Sequence, residues 1–93
     1  MFATPTPIVS GRSYRVVDVA GHSPDSADDF VGPAAFTLDM DGTAYQVCGV
    51  GRRVEEQVRY HEKDVAHSGK DIRVWQVSRH DDGAFYAEHA PAF

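Results

Sequence analysis

Five histidines, one cysteine and several adjacent carboxylates are the residues of this 93-residue chain that could do chemistry. The densest group is His61 and His67, with Glu62 and Asp64 between them. Zinc needs lone pairs aimed at one point, which HxxxH on a helix or short Cys/His pairs provide. The spacing of His61 and His67 instead puts them about 120° apart around a helix. His80 belongs to the turn-like stretch His80-Asp81-Asp82-Gly83, and His89 closes the same hairpin at its other end, so the two should not converge. Solvated surface histidines are the expectation, with no metal site and no cofactor.

Nucleophilic catalysis would need Cys48 beside a base. Cys48 sits in an alternating apolar stretch, and free cysteine is among the most buried residue types, so an inert buried thiol is expected. The carboxylate pairs Asp28-Asp29 and Glu55-Glu56 are sequence neighbours, and in a strand such neighbours point to opposite faces. They could not face each other across a substrate. The glycines match neither a phosphate-binding loop nor a dinucleotide fingerprint. No catalytic residue is assigned, and the reading is a non-enzymatic protein.

What remains is a set of arginines and aromatics: Arg52, Arg53, Arg59, Tyr60, Arg73, Trp75 and Arg79, with Tyr45 nearby. Arginine favours planar, bidentate or stacking contacts, and Tyr, Trp and Arg are enriched at protein interfaces. The face carrying Arg53, Tyr60, Arg73 and Trp75 is expected to contact an unknown protein partner or a second copy of the chain. Single-stranded nucleic acid is the alternative, because small barrels stack bases on aromatics beside arginines. The net charge of −5 counts against it. The contrary structural reading puts the aromatics in the core and pairs the arginines with Glu55, Glu56, Glu62 and Asp71.

These residues have to be positioned by strands. Phe36 to Val50, FTLDMDGTAYQVCGV, is two alternating apolar runs around Asp41-Gly42, a strong hairpin signal. Ile72 to His89 is a second hairpin around His80–Gly83. Ser13 to Ala20 is rich in β-branched residues and predicts the first strand, whose apolar residues on both faces point to a curled or two-sided position, not a solvated edge. Residues 1–11 predict an extended arm in which Phe2, Ile8 and Val9 could dock on the body. Gly21 to Pro33 predicts an irregular loop, mobile or functional, anchored by Phe30 and Val31. Gly49 and Gly51 around Val50 predict a bulge or sharp bend where the strand leaves one sheet region for another.

Arg52 to Ser68 has two readings. Val54, Val58 and Val65 recur at helical spacing, with acids first and Lys63 and His67 last. Yet no N-capping residue precedes them and the apolar stripe is thin. A strand over Arg53 to His61, with Glu62 to Lys70 as a connecting loop, is preferred. The alternations Tyr45-x-Val47-x-x-Val50, Arg53 to Glu56, Trp75-x-Val77 and Gly83-x-Phe85-Tyr86 resemble those of small β-rich bacterial families of unknown function. That resemblance favours the strand and implies no chemistry.

The fold class expected is mainly β: a small bent sheet, roll or SH3-like barrel of five to six antiparallel strands. The alternative is α+β with one helix at about 53–67. One domain over 1–93 is all this length allows, and so small a core makes a homodimer unsurprising. No apolar run approaches the roughly 20 residues that span a bilayer, and the opening residues do not read as a secretory signal. A lone cysteine and no membrane contact suggest a cytoplasmic protein. Charge is uneven: residues 1–50 carry net −4, 51–80 net +2 and 81–93 net −3. The basic stretch lies between the hairpins.

Overall fold

The structure is a computed structural model, and it describes residues 8–64, 66 and 68–90. Its strands are β1 (Ser13–Val19), β2 (Gly32–Met40), β3 (Thr43–Val54), β4 (Gln57–Asp64), β5 (Lys70–Arg79) and β6 (Phe85–His89). Each pairs antiparallel with its sequence neighbour, and β6 returns to β1 to close a barrel. Closure removes the free edges that a small open sheet would expose. No α-helix occurs among the described residues, so the helix at 53–67 is not formed.

Alternation fills the interior. Tyr14, Val16 and Val19 point inward from β1, Phe36, Leu38 and Met40 from β2, and Val47 from β3. Val58 and Tyr60 join them from β4, Trp75 and Val77 from β5, and Phe85 and Ala87 from β6. Of the two positions open to the first strand, two-sided or curled, it takes the curled one in a closed barrel. A register shift between Val16 and Asp18 marks a bulge that lets Val16 and Val19 both face inward while Val17 stays exposed.

Asp41 and Gly42 form the two-residue turn between Met40 and Thr43, with φ of 54° and 90°. Positive φ at both positions is what a type I′ hairpin requires, and Asp-Gly tolerates it. The strand expected over Arg53 to His61 is interrupted. β3 runs on to Val54, Glu55-Glu56 makes a second two-residue turn, and β4 begins at Gln57. Glu62 to Lys70 is likewise only partly a connection, since β4 reaches Asp64 and β5 starts at Lys70.

No register shift marks a bulge at Gly49 or Gly51, but this is where β3 passes from one neighbour to the next, since pairing with β2 ends at Gly51 and pairing with β4 begins at Gly49. The two glycines also permit close approach. A Cβ at Gly49 would overlap the His61 carbonyl oxygen, and one at Gly51 the Phe30 carbonyl oxygen.

The Gly21 to Pro33 segment is ordered around a single 3₁₀ turn, Ala27–Phe30, before β2 begins at Gly32. The Ser26 hydroxyl accepts from the Asp28 N–H, and the Asp29 carboxylate accepts from the Asp25 and Ser26 N–H groups at 2.8 and 3.1 Å. These backbone donors hold the Asp29 carboxyl below its usual range. The turn drives Phe30 into the barrel mouth, fully buried against Phe36 and Phe85. Val31 is exposed, so Phe30 alone is the anchor. At the opposite mouth Ile8 packs on the core, and the Val9 N–H donates to the Tyr14 hydroxyl at 3.0 Å. Phe2, His67 and Phe93 lie outside the described residues.

Candidate binding surface

The barrel wall sorts the arginine and aromatic set into two groups. Tyr60 and Trp75 are register partners on β4 and β5, and both point inward with no exposed surface. The period of two puts them on the same face as Val58 and Val77, so the expected face of Arg53, Tyr60, Arg73 and Trp75 is not assembled. The Tyr60 hydroxyl donates to the Ala34 carbonyl, and burial pushes its pKa up.

Trp75 belongs to a buried polar network at the mouth near the N-terminal arm. Its indole N–H donates to Glu62 Oε1 at 2.9 Å, and the Tyr45 hydroxyl donates to Glu62 Oε2 at 3.0 Å. Arg73 turns inward, donates to the Tyr45 hydroxyl at 3.0 Å and lies 3.7 Å from Glu62 Oε1. Burial, then the Glu62 charge, raises the Tyr45 pKa. The Trp75 ring also meets Tyr14 edge-on at 6.3 Å and His89 at 5.5 Å. From sequence Glu62 is only one of several arginine partners. Its place is signalled by the alternation Val58, Tyr60, Glu62, which carries the apolar face onto a carboxylate.

Two further arginines are tied to the loop that carries Phe30. Arg53 pairs with Asp28 and donates to the Glu55 carbonyl at 3.1 Å. Arg79 donates to the Asp25 carbonyl, with its guanidinium 4.7 Å from the centre of the Phe85 ring. Both hold the plugged end of the barrel together.

Arg52 and Arg59 are different. They are direct register partners on β3 and β4, and both are exposed on the outer wall. Neither guanidinium has a hydrogen bond or an ion pair among the described residues. Val50 and Val54 share the outer face of β3 with Arg52, each about two-fifths exposed. One register step along, Pro33, Val50, His61 and Val74 make a cross-strand row on the same wall, with exposed Ile72 beside it on β5.

Cys48 is exposed on this wall, not buried, because Tyr45 and Val47 take the inward positions of β3. His61 approaches Asp71 at 3.2 Å, and the Asp71 carboxyl, bonded by Lys63 and then His61, is held below its usual range. His80 stacks on Tyr86 at 4.2 Å, at the end of the second hairpin opposite His89. Among the described residues no group of three or more His, Cys, Asp or Glu is gathered that could hold a metal ion. Clefts in the wall reach about 300 Å³ and are open surface depressions.

The molecule is thus a closed six-stranded antiparallel β-barrel with a filled interior and a mixed arginine and valine patch on its wall. Comparison with protein-family models, with curated proteins and with solved structures returns no match. No helix among the described residues is long and apolar enough to cross a membrane.

Proposed function

We propose that this chain is a non-enzymatic binding module that works by protein–protein contact through the outer wall of β3, β4 and β5. The observation that carries the reading is the placement of exposed Val50 and Val54 to either side of Arg52, opposite Arg59, with no hydrogen bond or ion pair to either guanidinium among the described residues. Arginine is enriched at protein interfaces, and the buried core of an interface is more apolar than the rest of the surface. The filled interior leaves the wall as the surface for recognition, and a lone cysteine suits a cytoplasmic setting. Single-stranded nucleic acid is the poorer fit, because Tyr60 and Trp75 are buried and cannot stack bases.

The test is site-specific photo-crosslinking in lysate of the cells that make the protein. A benzophenone residue at position 50 or 54 should join one defined protein, and the same group at exposed Val17 on β1 should not. Equal products from position 17, or none from 50 and 54, would overturn the assignment of this wall. Products lost on nuclease treatment would turn the reading to nucleic acid. A product between two copies, with a dimer mass in light scattering, would make the contact self-association.

A further inference from the structure

Arg52 and Arg59 face each other in strand register on the outside of the barrel. Directly opposed residues bring their Cβ atoms to within about 4.5–5.5 Å, and like charges in that arrangement destabilise the sheet. Arg53 is engaged with Asp28, Arg73 with Tyr45, Arg79 with the Asp25 carbonyl and Arg12 with Asp41. The 52/59 pair has no such contact within the described chain. Glu55 and Glu56 are close in sequence, at the turn beyond Val54, yet neither neutralises it.

We infer that Arg52 and Arg59 jointly receive a carboxylate from an acidic, apolar-flanked segment of a partner protein, a step that rests on the protein-contact reading of this wall. Two guanidinium groups at this spacing can both donate charge-assisted hydrogen bonds to one carboxylate, which relieves their mutual repulsion. Val50 and Val54, one position to either side of Arg52 on the same face, offer apolar contact to the residues beside that carboxylate. The positive patch is narrow. Glu55 and Glu56 bound it at the turn, and the Lys63–Asp71 pair is already internally balanced. A patch one residue pair wide on a chain of net charge −5 suits a single carboxylate better than the successive phosphates of a nucleic acid.

The experiment uses the full chain with Arg52→Lys or Arg59→Lys and a zero-length carbodiimide, which joins a lysine amine to a carboxylate but leaves arginine unreacted. In the same lysate, each lysine variant should give a covalent adduct that wild type lacks, mapping by mass spectrometry from the new lysine to an Asp or Glu of the partner. Alongside it, Arg52→Gln and Arg59→Gln should each cut the position-50 photo-crosslink at least fivefold while raising the melting temperature by roughly 1–4 °C, since the repulsion is removed. An undiminished photo-crosslink in both glutamine variants would overturn the carboxylate inference and leave the wall as the interface. Loss of every position-50 and position-54 product in wild type would remove both. An adduct that maps to a second copy, or melting temperatures that fall in both glutamine variants, would also overturn the inference.

Discussion

Glu62 is the charged side chain that the described barrel buries, and its two oxygens are occupied by Trp75 and Tyr45 with Arg73 alongside. A carboxylate in that position is tolerable only because donors surround it. Its removal leaves the buried indole N–H and the phenol without their acceptor, while Arg73, one-third exposed, can turn to water. Glu62→Ala should therefore cost about 2–4 kcal/mol, a large part of the roughly 5–14 kcal/mol expected of a domain this size. Glu62→Gln keeps an acceptor for Trp75 and should cost about 1–2 kcal/mol. Urea unfolding followed by Trp75 fluorescence measures both, with the midpoint moving and the slope unchanged. An Ala variant within 1 kcal/mol of wild type would mean that water replaces the carboxylate and that the network is not structural.

At the scale of the element, the two tight hairpins differ in how well their residues suit them. Asp41-Gly42 adopts positive φ with residue types that accept it, whereas the turn after Val54 puts Glu55 at φ 59°. A glutamate there carries left-handed strain of about 1–2 kcal/mol, partly offset in any glycine replacement by the entropy of the unfolded chain. Glu55→Gly should raise stability by about 0.5–1 kcal/mol, seen as a rise of roughly 2–8 °C in the melting temperature. A fall would show that the Glu55 side chain does more for the fold than the turn geometry takes away. The same contrast explains what a reader of the sequence can see. Asp41-Gly42 announces its turn, so β2, β3 and the register between them were legible, as were β1, β5 and β6 from their alternation. Glu55-Glu56 has no turn chemistry, so two strands ran together into one over Arg53 to His61, and the only trace was the broken alternation at Glu56. Gly49 and Gly51 mark in the sequence where β3 passes from β2 to β4, but a local pattern cannot show that the Phe30 and His61 carbonyls arrive there from elsewhere. The candidate site followed the same rule. Arg52 and Arg59 stood in the expected binding set, but Tyr60 and Trp75 were misplaced because inward and outward are decided by strand register.

At the scale of the whole molecule, closing the sheet makes an interior in which a phenol cannot easily ionise. Tyr60 is fully buried at the centre of the barrel, and burial raises its pKa above the ordinary 10.0. Tyr45 shifts the same way through burial and Glu62, and Tyr86 through its hydrogen bond to Asp82. Below pH 10 these phenols are neutral whether the chain is folded or unfolded, and their contribution to stability is fully present. Above it the unfolded chain sheds protons that the folded barrel retains, so stability falls as pH rises, by at most about 1.4 kcal/mol per pH unit for each such group. Wild type alone would not isolate the part that belongs to Tyr60. Tyr60→Phe does: it loses the hydrogen bond to the Ala34 carbonyl and should be less stable at pH 8, yet its decline between pH 10 and 12 should be shallower than that of wild type. Ionisation of Tyr60 also requires the barrel to open. The closing seam of β1 and β6 is the place for that, since its register is short, Ser13–Glu88, Tyr14–Ala87 and Arg15–Tyr86 with the Gly11 N–H donating to the His89 carbonyl beside it, while β2 and β3 are paired along the whole of β2. Urea midpoints for the two proteins across that pH range decide the matter, and parallel curves would show that Tyr60 ionises inside the folded barrel as readily as outside it.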